Sequence, residues 1–223
     1  MKYMVGISQW LAGIIVSLLL LTMSISIFAY NEDIYMKLYM DNNVTERTGM
    51  DEENLSHVTK GLIAYMRGQA ETLDMTAEIH SEEREVFNKR EKDHMVDVKK
   101  LFLMNESIRG VLFGTVLFFV GLAVWRKQYG YIMKVGLKQA GVSLILAGTM
   151  LIIAFTDFNK AFIKFHHLFF TNDLWILDPR TDTLIQMLPE TFFKSMAMMM
   201  FGTWFVMSAL CGGASYLGLR REE

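Results

Sequence analysis

His94 stands midway between two carboxylates, Glu91 three residues before it and Asp97 three residues after. On a helix all three fall near one face. A carboxylate bonded to one imidazole nitrogen fixes the tautomer and makes the other nitrogen a better base. The same residues also suit a solvated, charged helix or a structural histidine in a core. His166 and His167 form the second candidate. Adjacent positions on a helix point about 100° apart, so at most one of the pair can share a site with His94. The segment around them, from Phe158 to Phe170, is dense in aromatic residues, and it equally suits anchoring at a membrane–water boundary. His57 and His80 lack such surroundings and read as surface residues.

Other chemistries find less support. Tetrahedral zinc would need His94, His166 and a carboxylate such as Glu91 or Asp97, but the chain carries no HExxH pattern, so no metal is expected. No Gly-x-Ser-x-Gly elbow is present to raise a serine nucleophile. The single cysteine, Cys211, sits in an apolar stretch without an ionisable neighbour, which excludes a disulfide framework and disfavours a thiolate. A formal net charge of −2 gives no reason to expect a nucleic-acid partner.

The elements that must position these histidines follow from composition. Hydrophobic residues make up 52% of the 223 and charged residues 21%, and the two kinds are segregated along the chain. Both prolines, Pro179 and Pro189, fall in one loop, which favours long helices elsewhere. Four apolar runs reach the roughly 20 residues needed to cross a bilayer. They cover residues 7–30, 108–125, 135–155 and 192–219. The first is too long for the apolar core of a signal peptide and reads as a retained anchor. The fold expected is mostly α, a polytopic membrane protein with four transmembrane helices. The segments are 1–30, 31–107, 108–155, 156–191 and 192–223.

Lysine and arginine in short loops are retained in the cytoplasm. Arg126, Lys127, Lys134 and Lys138 join the second and third spans, Arg220 and Arg221 follow the fourth, and Lys2 precedes the first. All three groups agree, so both termini are expected in the cytoplasm, with residues 31–107 and 156–191 outside. In the first outer region Leu55, Val58, Leu62, Ile63 and Met66 recur at helical spacing after the acidic run from Asp51. Residues 72–79 alternate and permit one strand. A second helix is expected from Ser81 as cap, with Glu82 and Glu83 in its first turn. On it Phe87, Glu91, His94, Val98 and Leu101 would share a face. The second outer region reads as a re-entrant or interfacial element, and Pro189 suits the start of the last helix.

The segments from Glu91 to Phe102, from Phe165 to Trp175 and from Leu188 to Phe193 resemble the lipoprotein intramolecular transacylases (Lit) of Gram-positive bacteria, over nearly the whole chain. The resemblance implies a multi-pass protein of the bacterial plasma membrane, with its active site on the extracytoplasmic side. It implies a reaction that moves the sn-2 acyl chain of a diacylglyceryl lipoprotein to the α-amine of its N-terminal cysteine, giving the lyso-form. Lipoproteins and membrane lipid are the implied partners, and no cofactor is needed. The substrate amine is the nucleophile, so the enzyme has to supply only a base and an acid. The family's essential histidines map onto His94 and His166. His94 would be the base and His166 the acid, or the reverse, with Asp97 or Glu91 orienting His94 and His167 in support. Asn172, Tyr65 and Arg67 are candidates for the oxyanion donor. The alternative is a non-enzymatic membrane subunit or lipid-binding sensor with an acidic outer docking domain.

Overall fold

The computed structural model describes residues 2–221; Met1, Glu222 and Glu223, at the outer ends of the first and last expected segments, lie outside the described residues. Nine helices and one hairpin follow in the order α1 (Lys2–Ala29), α2 (Glu32–Asp41), α3 (Val44–Thr48), α4 (Glu52–Met66), β1 (Thr76–Ile79), β2 (Glu82–Glu85), α5 (Lys89–Trp125), α6 (Tyr129–Thr156), α7 (Phe158–Phe169), α8 (Thr183–Met187) and α9 (Glu190–Arg220), counted among the described residues. Four of them, α1, α5, α6 and α9, are long and apolar enough to cross a membrane. In α5 the apolar span is residues 108–125; its first turns are charged and lie outside the span.

The chain divides into two compact units. The bundle unit holds residues 1–26, 106–155 and 198–223. Its helices meet at small residues. A Cβ added to Gly212 would lie 2.5 Å from that of Ala140, and one added to Gly13 would lie 3.0 Å from the Gln139 backbone nitrogen. Such close approach is how helices gain contact where lipid supplies no hydrophobic drive. A buried polar cluster accompanies it: the Gln139 amide donates to Ser143 at 2.8 Å and Ser208 at 2.9 Å, and Ser143 donates to Ser17 at 2.7 Å. One cluster thus ties α1, α6 and α9.

The histidine unit holds residues 27–105 and 156–197, so both polar stretches of the sequence fall in it. Its core is built on α4, whose N-cap Asp51 accepts from the Asn54 amide at 2.8 Å. Leu55, Val58 and Leu62 from α4 are fully buried with Met50, Phe87, Met187 and Phe192. Tyr35 and Tyr39 of α2 pack on the Phe192 ring, centroids 5.2 and 5.9 Å apart. Helix α4 ends at Met66 with Arg67 as its C-cap, and Gly68 just beyond adopts a φ of 72° that a side chain would resist.

One expectation is corrected here. Ser81 does not cap a helix, and Glu82 and Glu83 do not lie in a first turn; they belong to β2, paired antiparallel with β1 in the register Thr76↔Glu85 to Ile79↔Glu82. His80 and Ser81 form the two-residue turn with φ of 54° and 64°. Positive φ at both central residues matches the right-handed strand twist, whereas an N-cap needs an extended backbone. Phe87 consequently precedes the helix. The cap of α5 is Asn88, whose side chain accepts from the Glu91 amide at 3.1 Å while Glu91 accepts from the Asn88 amide at 2.7 Å. This reciprocal capping box starts the helix one turn before His94.

Candidate active site

The first turns of α5 are fastened to the segment after α7 by side chains that leave few free bonds. Glu91, 1% exposed, accepts from the Leu184 amide at 2.6 Å with the oxygen not used for Asn88. The Asn88 amide donates to Asp182 at 2.8 Å, and Asp182 accepts from the Asp178 backbone at 2.8 Å. Farther along, Asn172 donates to Asp97 at 2.9 Å and accepts from the Leu174 amide at 3.1 Å. The Arg90 guanidinium donates to the Asp173 carbonyl. Four side chains, those of Asn88, Arg90, Glu91 and Asp97, therefore set the path of residues 172–184.

Helix α7 turns its other partner inward. Phe158, Phe162, His166 and Phe170 recur every fourth position along one face, while Ile163, Phe165, Leu168 and Phe169 remain exposed. His166 and His94 are both buried, at 8% and 7% exposure, with ring centroids 6.3 Å apart. The rings cannot hydrogen-bond each other across that distance, since each nitrogen lies little more than an ångström from its centroid. The gap suits a reacting group. Its walls are aromatic: Phe162 lies 4.2 Å from the His166 ring, Phe170 lies 5.2 Å from His94, and Trp175 stacks on His166 at 4.6 Å.

The two imidazoles differ in their bonds. His166 Nδ1 lies 2.7 Å from the Phe162 carbonyl oxygen. A carbonyl only accepts, so Nδ1 carries the proton and Nε2 of the neutral ring keeps its lone pair. Burial lowers the His166 pKa, opposed by that carbonyl and assisted by the neighbouring His167. Burial also pushes His94 down to about 4, helped by His166 and opposed by Asp97. Both rings are thus neutral at pH 7. His94 Nδ1 is buried without a hydrogen-bond partner, and so is the Trp175 indole nitrogen.

The supporting residues expected from the sequence divide. Asp97 lies on the site face as an anion, held below the usual carboxylate range by Lys100 and then Asn172. It influences His94 through charge rather than a bond. Glu91 makes its bonds to the Asn88 and Leu184 amides, not to His94; burial raises its pKa. His167 is exposed and meets the Trp175 ring edge-on at 5.3 Å. Tyr65 lies under the Lys99 ammonium, 4.2 Å from its ring centre, and Arg67 lies over the Tyr30 ring at 5.2 Å. Among the described residues no three His, Cys, Asp or Glu side chains gather to hold a metal ion. Sequence reading passed over Asn88 and Trp175 as individual contributors. An Asn three residues before a Glu was the available signal for the first; nothing in spacing marked the second.

A mostly helical chain with four membrane-length helices and a buried histidine pair defines a multi-pass membrane protein with acid–base capacity. Residues 10–193 match the family model of the lipoprotein intramolecular transacylase Lit, and the chain belongs to that family. It is accordingly a transacylase of the membrane that modifies lipoproteins, and the non-enzymatic alternative gives way. The fold is similar to that of the membrane integral lipoprotein intramolecular transacylase Lit from Bacillus cereus, with a TM-score of 0.85 and 19% identity over 100% of this chain and 99% of that one. A structure of that protein with a histidine changed to alanine matches at 0.77 and 19% identity, covering 99% of this chain and 96% of that one. A third, with a histidine-to-arginine mutation, matches at 0.74 and 21% identity with the same coverage, 99% and 96%. No curated protein is a significant match.

Proposed function

We propose that this transacylase moves the sn-2 acyl chain of a diacylglyceryl lipoprotein to the α-amine of the N-terminal cysteine, with His94 and His166 as its acid–base pair. The observation that carries the reading is the buried, facing pair of imidazoles among aromatic rings, none of which is a nucleophile. In the reaction an N–C bond forms to the acyl carbon and the bond between that carbon and the glyceryl oxygen breaks. The amine's proton goes to the base, and the glyceryl oxygen takes up that one proton as it leaves, so the transfer returns both imidazoles to the neutral form. His166 suits the base better than the exchanged assignment does. Its Nε2 is the free lone pair, and the imidazolium it becomes is stabilised by the Phe162 carbonyl and the Trp175 face. His94 then serves the departing glyceryl oxygen, under the field of Asp97.

The site belongs at headgroup depth on the extracytoplasmic side of a plasma membrane. The amphipathic α7 supports the depth, with exposed Phe165 and Leu168 beside Lys160 and Lys164. The side is supported by the lysines and arginines of residues 126–138 and 220–221, which favour the cytoplasm for that link and for both termini. The test is mass spectrometry of lipoprotein N-terminal peptides from cells carrying the protein or its variants. Lyso-form product is expected from the unaltered chain and not from His94→Ala or His166→Ala. Unchanged product from either variant would sink the assignment of that residue.

A further inference from the structure

We propose that Trp175 is a further catalytic residue, its indole N–H donating to the oxyanion that forms on the acyl carbonyl; this rests on the acyl transfer proposed above. Acyl transfer to an amine passes through a tetrahedral intermediate, and its oxygen needs a donor fixed in a dry site. Among the described contacts, none of the three donors that the sequence offered meets either histidine. Asn172 bonds Asp97 and Leu174, while Tyr65 and Arg67 are engaged by Lys99 and the Tyr30 ring.

Trp175 differs from these in three ways. Its nitrogen is buried without a partner, although a buried indole N–H ordinarily finds one. Its ring stacks on His166 with centroids 4.6 Å apart and planes at 29°, which places the indole directly against the proposed base. Indole is also a donor only and does not titrate, so it cannot compete with the histidines for the reaction's proton. With no partner from the protein, the N–H is left available to an oxyanion, and their bond would be made in the transition state. The position of Trp175 is itself set by the neighbouring bonds of Asn172 to Asp97 and of Arg90 to Asp173.

The decisive experiment replaces Trp175 in the full-length, membrane-embedded protein with 3-benzothienylalanine. That side chain keeps the shape and stacking surface of indole but has sulfur in place of N–H. Turnover of a diacylglyceryl lipopeptide should fall on the order of 100-fold in kcat, with KM nearly unchanged. Trp175→Phe should lose at least as much. A fall below about tenfold in the sulfur analogue, or one carried by KM, overturns the donor role. Product persisting in His94→Ala and His166→Ala would instead reject the acid–base reading, and the two failures are told apart by which variant stays active.

Discussion

The bundle unit and the histidine unit solve the same problem, holding helices in place, with different interactions. In the bundle, glycines admit close backbones and a neutral amide–hydroxyl cluster joins three helices. In the histidine unit, carboxylates accept from backbone amides and asparagines, over a core of aliphatic and aromatic side chains. The difference teaches what each surrounding supplies. Lipid gives no reward for bringing apolar faces together, so contact and hydrogen bonds must do so. Beside water the apolar core already drives collapse. Charge-assisted bonds can then set the path of one segment, residues 172–184, beside the buried histidine pair.

Breaking the comparison at its most sensitive point means removing a histidine. His166→Ala should lower lyso-form production by about 10²–10⁴ without loss of folding, the usual range for a general acid or base. His167→Ala should stay within about threefold, since that ring is exposed. Product analysis with a melting curve separates the two outcomes. The next effect belongs to the carboxylate fastening. Glu91→Gln places an NH2 against one of two backbone N–H groups and should cost about 2–3 kcal/mol, read as a lower melting temperature in detergent. An unchanged melting temperature would show that the fastening is dispensable.

Proton linkage sharpens the contrast. His94 is held near 4 when folded and returns to about 6.5 when unfolded, so below pH 6.5 the unfolded chain binds more protons. Stability therefore falls on acidification and flattens above pH 6.5, with about 2 kcal/mol lost by pH 5. His94→Asn should abolish most of that slope, while substitutions in the bundle should leave it. The lowered pKa of His166 likewise moves the acidic limb of the rate profile below the ordinary histidine range. The smallest effect is expected at Gln139→Leu, which removes the amide cluster at similar volume; intramembrane hydrogen bonds contribute roughly 0.6 kcal/mol on average. Gly212→Val, which drives a side chain into Ala140, should cost about 1–3 kcal/mol. A larger loss from Gln139→Leu than from Gly212→Val would reverse the account of the bundle.

How much of this was legible depends on how many meanings each residue carries. The four membrane helices were legible because an apolar run of that length has few other uses. Helix α4 was legible because Asp51 and the following periodicity agree. The Glu82–Glu83 pair misled, since acidic residues suit a helix start and an exposed strand alike, and the His80–Ser81 turn lacks the Gly or Asn that usually announces a hairpin. Glu91 shares the helix face of His94, so spacing alone could not distinguish a partner of the imidazole from a partner of Leu184. Trp175 sits in a loop rich in aromatics, where one ring looks like the next until its neighbours are known. Resemblance singled out His94 and His166; spacing left His166 and His167 equivalent, and the burial of one against the exposure of the other separates them.

At the headgroup depth proposed for it, helix α7 would also make the enzyme a gauge of its surroundings. The residue proposed as base and the apolar residues Ile163, Phe165, Leu168 and Phe169 ride on the same twelve-residue helix, the first buried and the others exposed. Whatever pushes on the outer face, such as tighter acyl packing, bilayer tension or an intruding detergent, pushes on the imidazole as well. Turnover should then vary with the lateral pressure of the lipid in which the protein is reconstituted, at constant substrate and pH.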